Sequence, residues 1–344
     1  MAYEVTIGIP VYNVEKYIRT SLESALAQTF DNIEFLVLDD CGTDSSMDIV
    51  REYQQTHPRG KDIRVVRQPH NMGLGQGRNR MVDEAQGRFM YFMDSDDKIA
   101  PNAIELLYGN ALRYDAQIVY GSFERIETHE GNTVSVLNQY PSVQFLKDDE
   151  WPIYVYREYN GIQGMIWNCL IDINVYRQNG LRHKPIQYWE DYTFTMDLPT
   201  YITRAVLLPD ITYYYYCREG SLSNFQKRSS IKKEEILVTQ RAVAQIKEQS
   251  DRLRDKVYFP GRMYKLMATE FYIVCTAFRH QEIINPPFTN KELHEMMRSP
   301  LTLQEILSFR QARFRNLVLY LFWKLPPSLS VLLMRLFAKM RHLI

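Results

Sequence analysis

In the stretch "FMDSDDKIAP", residues 92–101, three carboxylates, Asp94, Asp96 and Asp97, fall within four residues. They follow directly on an apolar run, Phe89-Met90-Tyr91-Phe92-Met93. Carboxylates this close repel one another and gain nothing from a nearby core. Two readings are open on the spacing alone. The cluster holds a cation, as hard divalent ions take oxygen ligands. Or it makes a strand-to-helix turn that caps a helix beginning at Pro101. A second acidic pair, Asp39-Asp40, closes the run "IEFLVL", and a third, Glu190-Asp191, stands in "WEDYTF". A carboxylate within reach of a hydroxyl can act as general base. At a helix start the same pair would merely complement the dipole.

The elements that must position these groups are legible over residues 4–121. "EVTIGIP", "IEFLVL", "IRVVR", "RFMYFM" and "QIVYG" are short apolar runs. Between them lie "EKYIRTSLESALAQ", "DSSMDIVREYQQ", "GQGRNRMVDEAQG" and "PNAIELLYGNALRYD", which have helical spacing. Gly87 should close the third of these helices and Pro101 should sit in the first turn of the fourth. The alternation predicts an α/β fold of βαβ units on a mainly parallel sheet flanked by helices. Ligands in such sheets bind beyond the carboxyl ends of the strands. Asp39, Asp40 and Asp94 follow strand ends, and so do Pro10 and Asn13, so one crevice should receive them all. The convergence suggests Mg²⁺ or Mn²⁺ shared with a diphosphate.

Beyond about residue 125 the alternation is lost. Residues 126–160 suggest an insertion with hairpin character. A helical stretch surrounds "WEDYTFTMDLPTYI", "AVLLPDITYYYYC" reads as one or two strands, and 231–298 is mainly helical with a break at Pro286-Pro287. The expected organisation is a domain over 1–225, made of a nucleotide-binding half (1–121) and an acceptor half (122–225). A helical C-terminal region over 226–344 follows.

The composition narrows the class. With 41 basic and 41 acidic side chains the net charge is zero, which argues against a general nucleic-acid binder. The four cysteines form no metal or disulfide pattern and suit a reducing cytosol. Glu4 comes too early for a signal peptide, and no apolar run approaches the ~20 residues of a spanning helix. The chain ends differently. After Glu305 there is no acid but seven cations: Arg310, Arg313, Arg315, Lys324, Arg335, Lys339 and Arg341. They are mixed with Leu, Phe and Trp in two helical segments around Pro326-Pro327. That composition suits a helix lying in a membrane interface over residues 310–344. The alternative is a helix pair packed on the protein's own core.

Several ordered motifs resemble the GT-A glycosyltransferases of family 2. "IGIPVYNVEKYIRTSLESALAQTFDNIEFLVLDDCGTDSS" is similar to the family's opening, and "NMGLGQGRNRMVDEAQGRFMYFMDSDD" to its next part. "IWNCLID", "WEDYTF" and "YYYYCREGSLSN" resemble later landmarks. Cys41 stands where the family usually has Gly or Asn, and Gly77 where Ala usually precedes the Arg. The resemblance implies a GT-A fold and a metal-dependent, inverting sugar transfer from a nucleotide-sugar donor, a UDP-sugar, to a glycan hydroxyl. It implies nucleotide contacts from Pro10, Asn13, Asp39, Asp40, Arg78, Asp94 and Ser95. Asp96 and Asp94 would hold Mn²⁺ or Mg²⁺, with Asp97 in the loop or metal shell. Asp191 would be the general base and Glu190 its orienting neighbour. Arg218, Ser221 and Ser223 would close over the diphosphate, and Trp167 and Trp189 would face the acceptor. The basic tail then suggests a lipid-linked acceptor in surface-polysaccharide synthesis, at the cytoplasmic face of the membrane. A catalytically inactive donor-binding subunit is the alternative. "GLGQG" at 73–77 does not make a dinucleotide loop, since it does not follow the first strand and lacks a full G-x-G-x-x-G.

Overall fold

A computed structural model describes residues 3–129, 132–158, 164–186, 189–217 and 229–344. Arg218, Ser221 and Ser223 lie outside these residues. The chain forms two compact units, residues 1–151 with 163–223, and 152–162 with 224–344.

The first unit opens with the expected alternation. It runs β1 (Tyr3–Val11), α1 (Ile18–Leu26), β2 (Ile33–Asp39), α2 (Ser46–Thr56), β3 (Ile63–Arg67), α3 (Leu74–Glu84) and β4 (Gly87–Phe92). These four strands pair in parallel, in the order β3-β2-β1-β4. Every residue of β2 is buried, as its unbroken apolar run requires of a strand covered on both faces. Next come β5 (Lys98–Ile99), α4 (Ala103–Tyr114), β6 (Ile118–His129), β7 (Asn132–Asn138), β8 (Val143–Phe145) and a short α5 (Glu150–Ile153). β9 (Cys169–Asp172), α6 (Ile173–Asn179), α7 (Glu190–Asp197) and β10 (Ala205–Cys217) complete the series. One ten-stranded sheet runs β3-β2-β1-β4-β9-β6-β10-β5, with β7 on β6 and β8 on β10.

Three local expectations are corrected. α3 ends at Glu84, and Gly87 opens β4 instead of capping the helix. A Cβ on Gly87 would lie 2.5 Å from the Thr6 backbone nitrogen, so only glycine lets β4 close against β1 there. α4 begins at Ala103 with Asn102 at its N-cap, and Pro101 stays in the preceding turn. The strand expected at 117–121 continues to His129 and forms a hairpin with β7. β9, antiparallel to both neighbours, separates β4 from β6. Its four residues are too short to carry a period.

The second unit contains β11 (Ile231–Lys232), α8 (Lys233–Gln249), α9 (Phe259–Arg279), β12 (Ile284–Asn285), α10 (Asn290–Glu295), α11 (Leu303–Ser308), α12 (Arg313–Lys324) and α13 (Pro327–Met340). α9 is buried along most of its length. Its Phe271 stacks on Phe322 of α12 at 5.7 Å and meets Phe337 of α13 edge-on at 5.7 Å. The terminal pair is therefore packed on its own core through Leu319, Phe322, Val331, Met334 and Ala338. The opposite side of α13 carries Leu329, Leu332, Leu333, Leu336 and Met340 in water, from 37% to 72% exposed. These fall on one helical face with Lys339 beside it, while Arg335 lies over Phe278 of α9 at 4.4 Å. The packed-pair reading of the tail thus applies to the inner side, and the outer side is apolar and exposed. Among the described residues no helix is long and apolar enough to cross a membrane.

Candidate active site

β1, β2 and β4 are neighbours, so the groups after Val11, Asp39 and Phe92 share one end of the parallel sheet. Asn13, at φ 52°, accepts the Thr43 amide at 2.7 Å and ties the β1–α1 loop to the β2–α2 loop. Pro10 lies beside Leu38 in the ladder. Asp39 is buried, accepts the Cys41 amide at 2.9 Å and faces the Arg67 guanidinium at 3.5 Å. Asp40 is buried too, and its two oxygens accept the amides of Met72 (2.9 Å) and Gly73 (3.1 Å). It therefore pins the loop that leads into α3. Capping of the α2 turn falls to Asp44, which accepts the Ser46 hydroxyl at 2.6 Å and the Ser46 amide at 3.1 Å.

α3 brings Arg78 inward. Its side chain is 1% exposed, so a solvated helix face is excluded. Its guanidinium does not stand open for a phosphate or ribose, as the sequence led us to expect. It is held by three carboxylates: Asp94 at 3.3 Å, Glu190 at 3.3 Å, and Asp191 in a short contact. Phe92 lies under it, 5.9 Å from ring centre to guanidinium carbon, and its Nε has no partner among the described residues. Small residues on α3 permit the approach. A Cβ on Gly75 would crowd the Lys184 carbonyl at 3.1 Å and the Glu190 side chain at 3.3 Å.

One cation against three carboxylates leaves the cluster acidic. Burial raises Asp191 to about 7; Glu190 and Asp94 add to the rise and Arg78 opposes it. Burial also raises Glu190 and Asp94 above the ordinary carboxylate range, again against Arg78. Burial acts against the charged guanidinium, but Asp191, Asp94 and Glu190 outweigh it and push Arg78 up. A carboxylate raised toward neutrality and still 13% exposed suits general-base chemistry. The residue before the pair, Trp189, is the N-cap of α7 and adopts φ 66°, a left-handed conformation costly for a bulky side chain. Strain of this kind collects at functional sites.

The turn after β4 splits its aspartates. Asp94 is a quarter exposed and paired with Arg78, and Ser95 is buried. Asp97 is buried, accepting the Tyr213 hydroxyl at 2.8 Å and the Tyr216 amide at 2.8 Å. It supports the loop and does not belong to an open metal shell, which corrects half of its expected role. Burial, with Asp94 and Asp96 beside it, raises Asp97 to about 8. Asp96 borders a cavity of about 180 Å³, lined also by Lys16, Tyr17, Thr20, Lys98 and Tyr216. Among the described residues no three His, Cys, Asp or Glu side chains form a ready-made metal site.

Residues 6–183 match the pattern of the family described as Glycosyl transferase family 2. The chain belongs to glycosyltransferase family 2. It is 37% identical to glycosyltransferase GlyA of Streptococcus pneumoniae over 37% of its own length and 18% of that protein's. It is 33% identical to GlyG of the same organism over 38% of its length and 43% of GlyG's. The shared part is thus under half of either relative. With the uncharacterized YibD of Escherichia coli it shares 24% identity over 81% of its length and 80% of YibD's. In three dimensions it resembles S. aureus TarS 1-349, crystallised with UDP-GlcNAc, with a TM-score of 0.56 and 18% identity over 93% and 90% of the two chains. That likeness confirms the GT-A-type fold.

Cys41 adopts φ 62°, the conformation that favours the Gly or Asn usual at this turn, and its Sγ donates to the Gln68 carbonyl at 3.1 Å. Trp167 is corrected from acceptor platform to core. It is 2% exposed, and Tyr213 stacks on it at 4.5 Å. Trp189 keeps partial exposure. Sequence reasoning missed Tyr213 and Tyr216, read only as strand, and His183, which no motif marks.

Proposed function

We propose that this family 2 chain is an inverting glycosyltransferase. It would move a sugar from a UDP-linked donor to a hydroxyl of a glycan acceptor in bacterial surface-polysaccharide synthesis. The observation that carries the reading is the buried Asp191, basic near pH 7, joined through Arg78 to Asp94 of the acidic turn. The acceptor hydroxyl gives its proton to Asp191 as its oxygen attacks the anomeric carbon. The bond to the diphosphate breaks on the opposite face, and the diphosphate leaves with the electron pair. Glu190 and Arg78 orient the base, and Trp189 borders the acceptor. Asp40, with Asp39, Asn13 and Pro10, lines the nucleotide pocket, where a carboxylate can accept the uracil imide N–H. The UDP-GlcNAc bound by TarS and relatives named for chondroitin and teichuronic acid synthesis support this donor and pathway class.

Asp96 and Asp94 would hold Mg²⁺ or Mn²⁺, which when bound neutralises the charge of the departing diphosphate. Chelation with EDTA should abolish sugar transfer, and either ion should restore it. Asp96→Ala should weaken UDP binding in the presence of Mn²⁺ but leave metal-free binding unchanged. Full transfer in chelator would remove the metal from the mechanism.

The outward face of α13 supports a peripheral place on anionic membrane, where a lipid-linked acceptor would be displayed. Each cation near such a surface contributes about 1 kcal/mol, and the leucines add burial. Removing residues 310–344 would open the core around Phe271, so the test is made on the outer face. Leu332→Ser/Leu336→Ser should sharply reduce co-sedimentation with phosphatidylserine-containing liposomes, while UDP binding stays at the wild-type level. Equal sedimentation of both proteins would leave the face without a membrane role.

A further inference from the structure

His183 is buried beside Asp191 yet takes no part in the reaction as written. Its side chain has no exposure, and neither ring nitrogen has a hydrogen-bond partner among the described residues. The ring lies flat on Phe194 at 4.2 Å and meets Phe92 edge-on at 6.4 Å. Packing of that kind suits an apolar residue, and leaving two ring nitrogens buried and unpaired is costly. The segment is fixed by α3: Asn79 accepts the His183 amide at 2.8 Å and donates to its carbonyl at 3.0 Å. Asn79 follows Arg78 in the same helix, so one element sets the place of both groups that face the base. Nδ1 of His183 points to Asp191 Oδ1 at 3.7 Å. An ordinary hydrogen bond is about 0.8 Å shorter. Burial, with Arg78 nearby, holds the imidazole neutral against the backbone of Glu190, which faces the ring outside ordinary hydrogen-bond geometry.

We propose that His183 is the positioning residue of the base: as the neutral Nδ1–H tautomer it donates to Asp191 Oδ1 during turnover and fixes the plane of that carboxylate. This rests on Asp191 being the base. The physical need is clear from the cluster. Arg78 is shared with Asp94 and Glu190, so it does not by itself fix the plane of the Asp191 carboxylate. A neutral donor locked by aromatic packing orients the carboxylate independently of them. It also lowers its basicity less than a second cation would.

The test uses the full chain. His183→Phe keeps the stacking and removes both nitrogens; His183→Asn returns an N–H near the Nδ1 position. UDP release is followed with the UDP-sugar that the wild type turns over fastest, and affinity with UDP itself. His183→Phe should lower kcat about tenfold or more, with donor KM and UDP affinity unchanged, and His183→Asn should recover most of the loss. A His183→Phe kcat within twofold of wild type, or a His183→Asn enzyme no better than it, overturns the proposal. A second measurement does not depend on the variants folding. Long-range ¹⁵N–¹H spectra of wild-type protein labelled at histidine should show His183 with its proton on Nδ1, and a proton on Nε2 overturns the assignment. Asp191→Asn run alongside separates the two claims. If it turns over normally the base reading fails; if it is inactive while His183→Phe is unimpaired, only the role of His183 fails.

Discussion

Asp191→Asn should lower kcat by roughly 10²–10⁴-fold while UDP affinity stays near wild type, because the amide keeps the shape and removes the basicity. Asp39, Asp40 and Asn13, proposed above for the nucleotide, stand at the ends of β1 and β2 and do not depend on this side chain. The wild-type pH profile carries the same signature. Asp191 titrates at about 7, raised chiefly by burial. A base must be unprotonated, so kcat should fall as pH drops below that value. The Asp191→Asn residual rate should lack this acid limb. A wild-type kcat in the variant would mean that another group takes the proton.

The largest effect on stability should come from Arg78→Met. The substitution keeps the bulk of the stem and leaves Asp94, Glu190 and Asp191 without their buried cation. Removing one partner of a buried charge group costs about 3–5 kcal/mol. At roughly 2–4 °C per kcal/mol, the thermal midpoint at pH 8 should fall by about 10 °C. The loss should shrink on acidification, and the sign follows from linkage. A carboxyl whose folded pKa lies above the unfolded value of about 3.9 binds more protons when folded. Stability from such a group is present below the unfolded value and declines as pH rises through the folded one. With Arg78 gone the three carboxyls rise further, so acidification neutralises them sooner and the missing cation matters less. Melting curves of both proteins at pH 5 and pH 8 check this. A midpoint at pH 8 within a degree or two of wild type would show that the cluster is hydrated and not held by Arg78.

The first half of the sheet was legible because its signals are local. β1 to β4 are apolar runs separated from the amphipathic helices by two to six residues, and each βαβ connection has one favoured hand and neighbour. The acidic turn was legible as well, since Asp94, Asp96 and Asp97 repeat within four residues and the motif order matches a known family. So was the basic, acid-free end of the chain. Tertiary structure alone decided what depends on distant residues. Arg78 and Asp191 are 113 positions apart, and no periodicity says that a guanidinium expected at a phosphate will be buried among carboxylates. Asp97 was separated from Asp96 by two tyrosines of β10, more than a hundred residues downstream. Trp167 and Trp189 have the same sequence character, but only one is covered by Tyr213. His183 carries no signal, because its meaning lies in what surrounds an imidazole once Phe92, Phe194 and Asp191 have been folded against it. In α13, apolar residues occupy both sides of the helix, and which side faces water was fixed by Phe271 and its partners on α9 and α12. Composition determines which groups are available; the dielectric and the partners that set their chemistry exist only after the chain has closed around them.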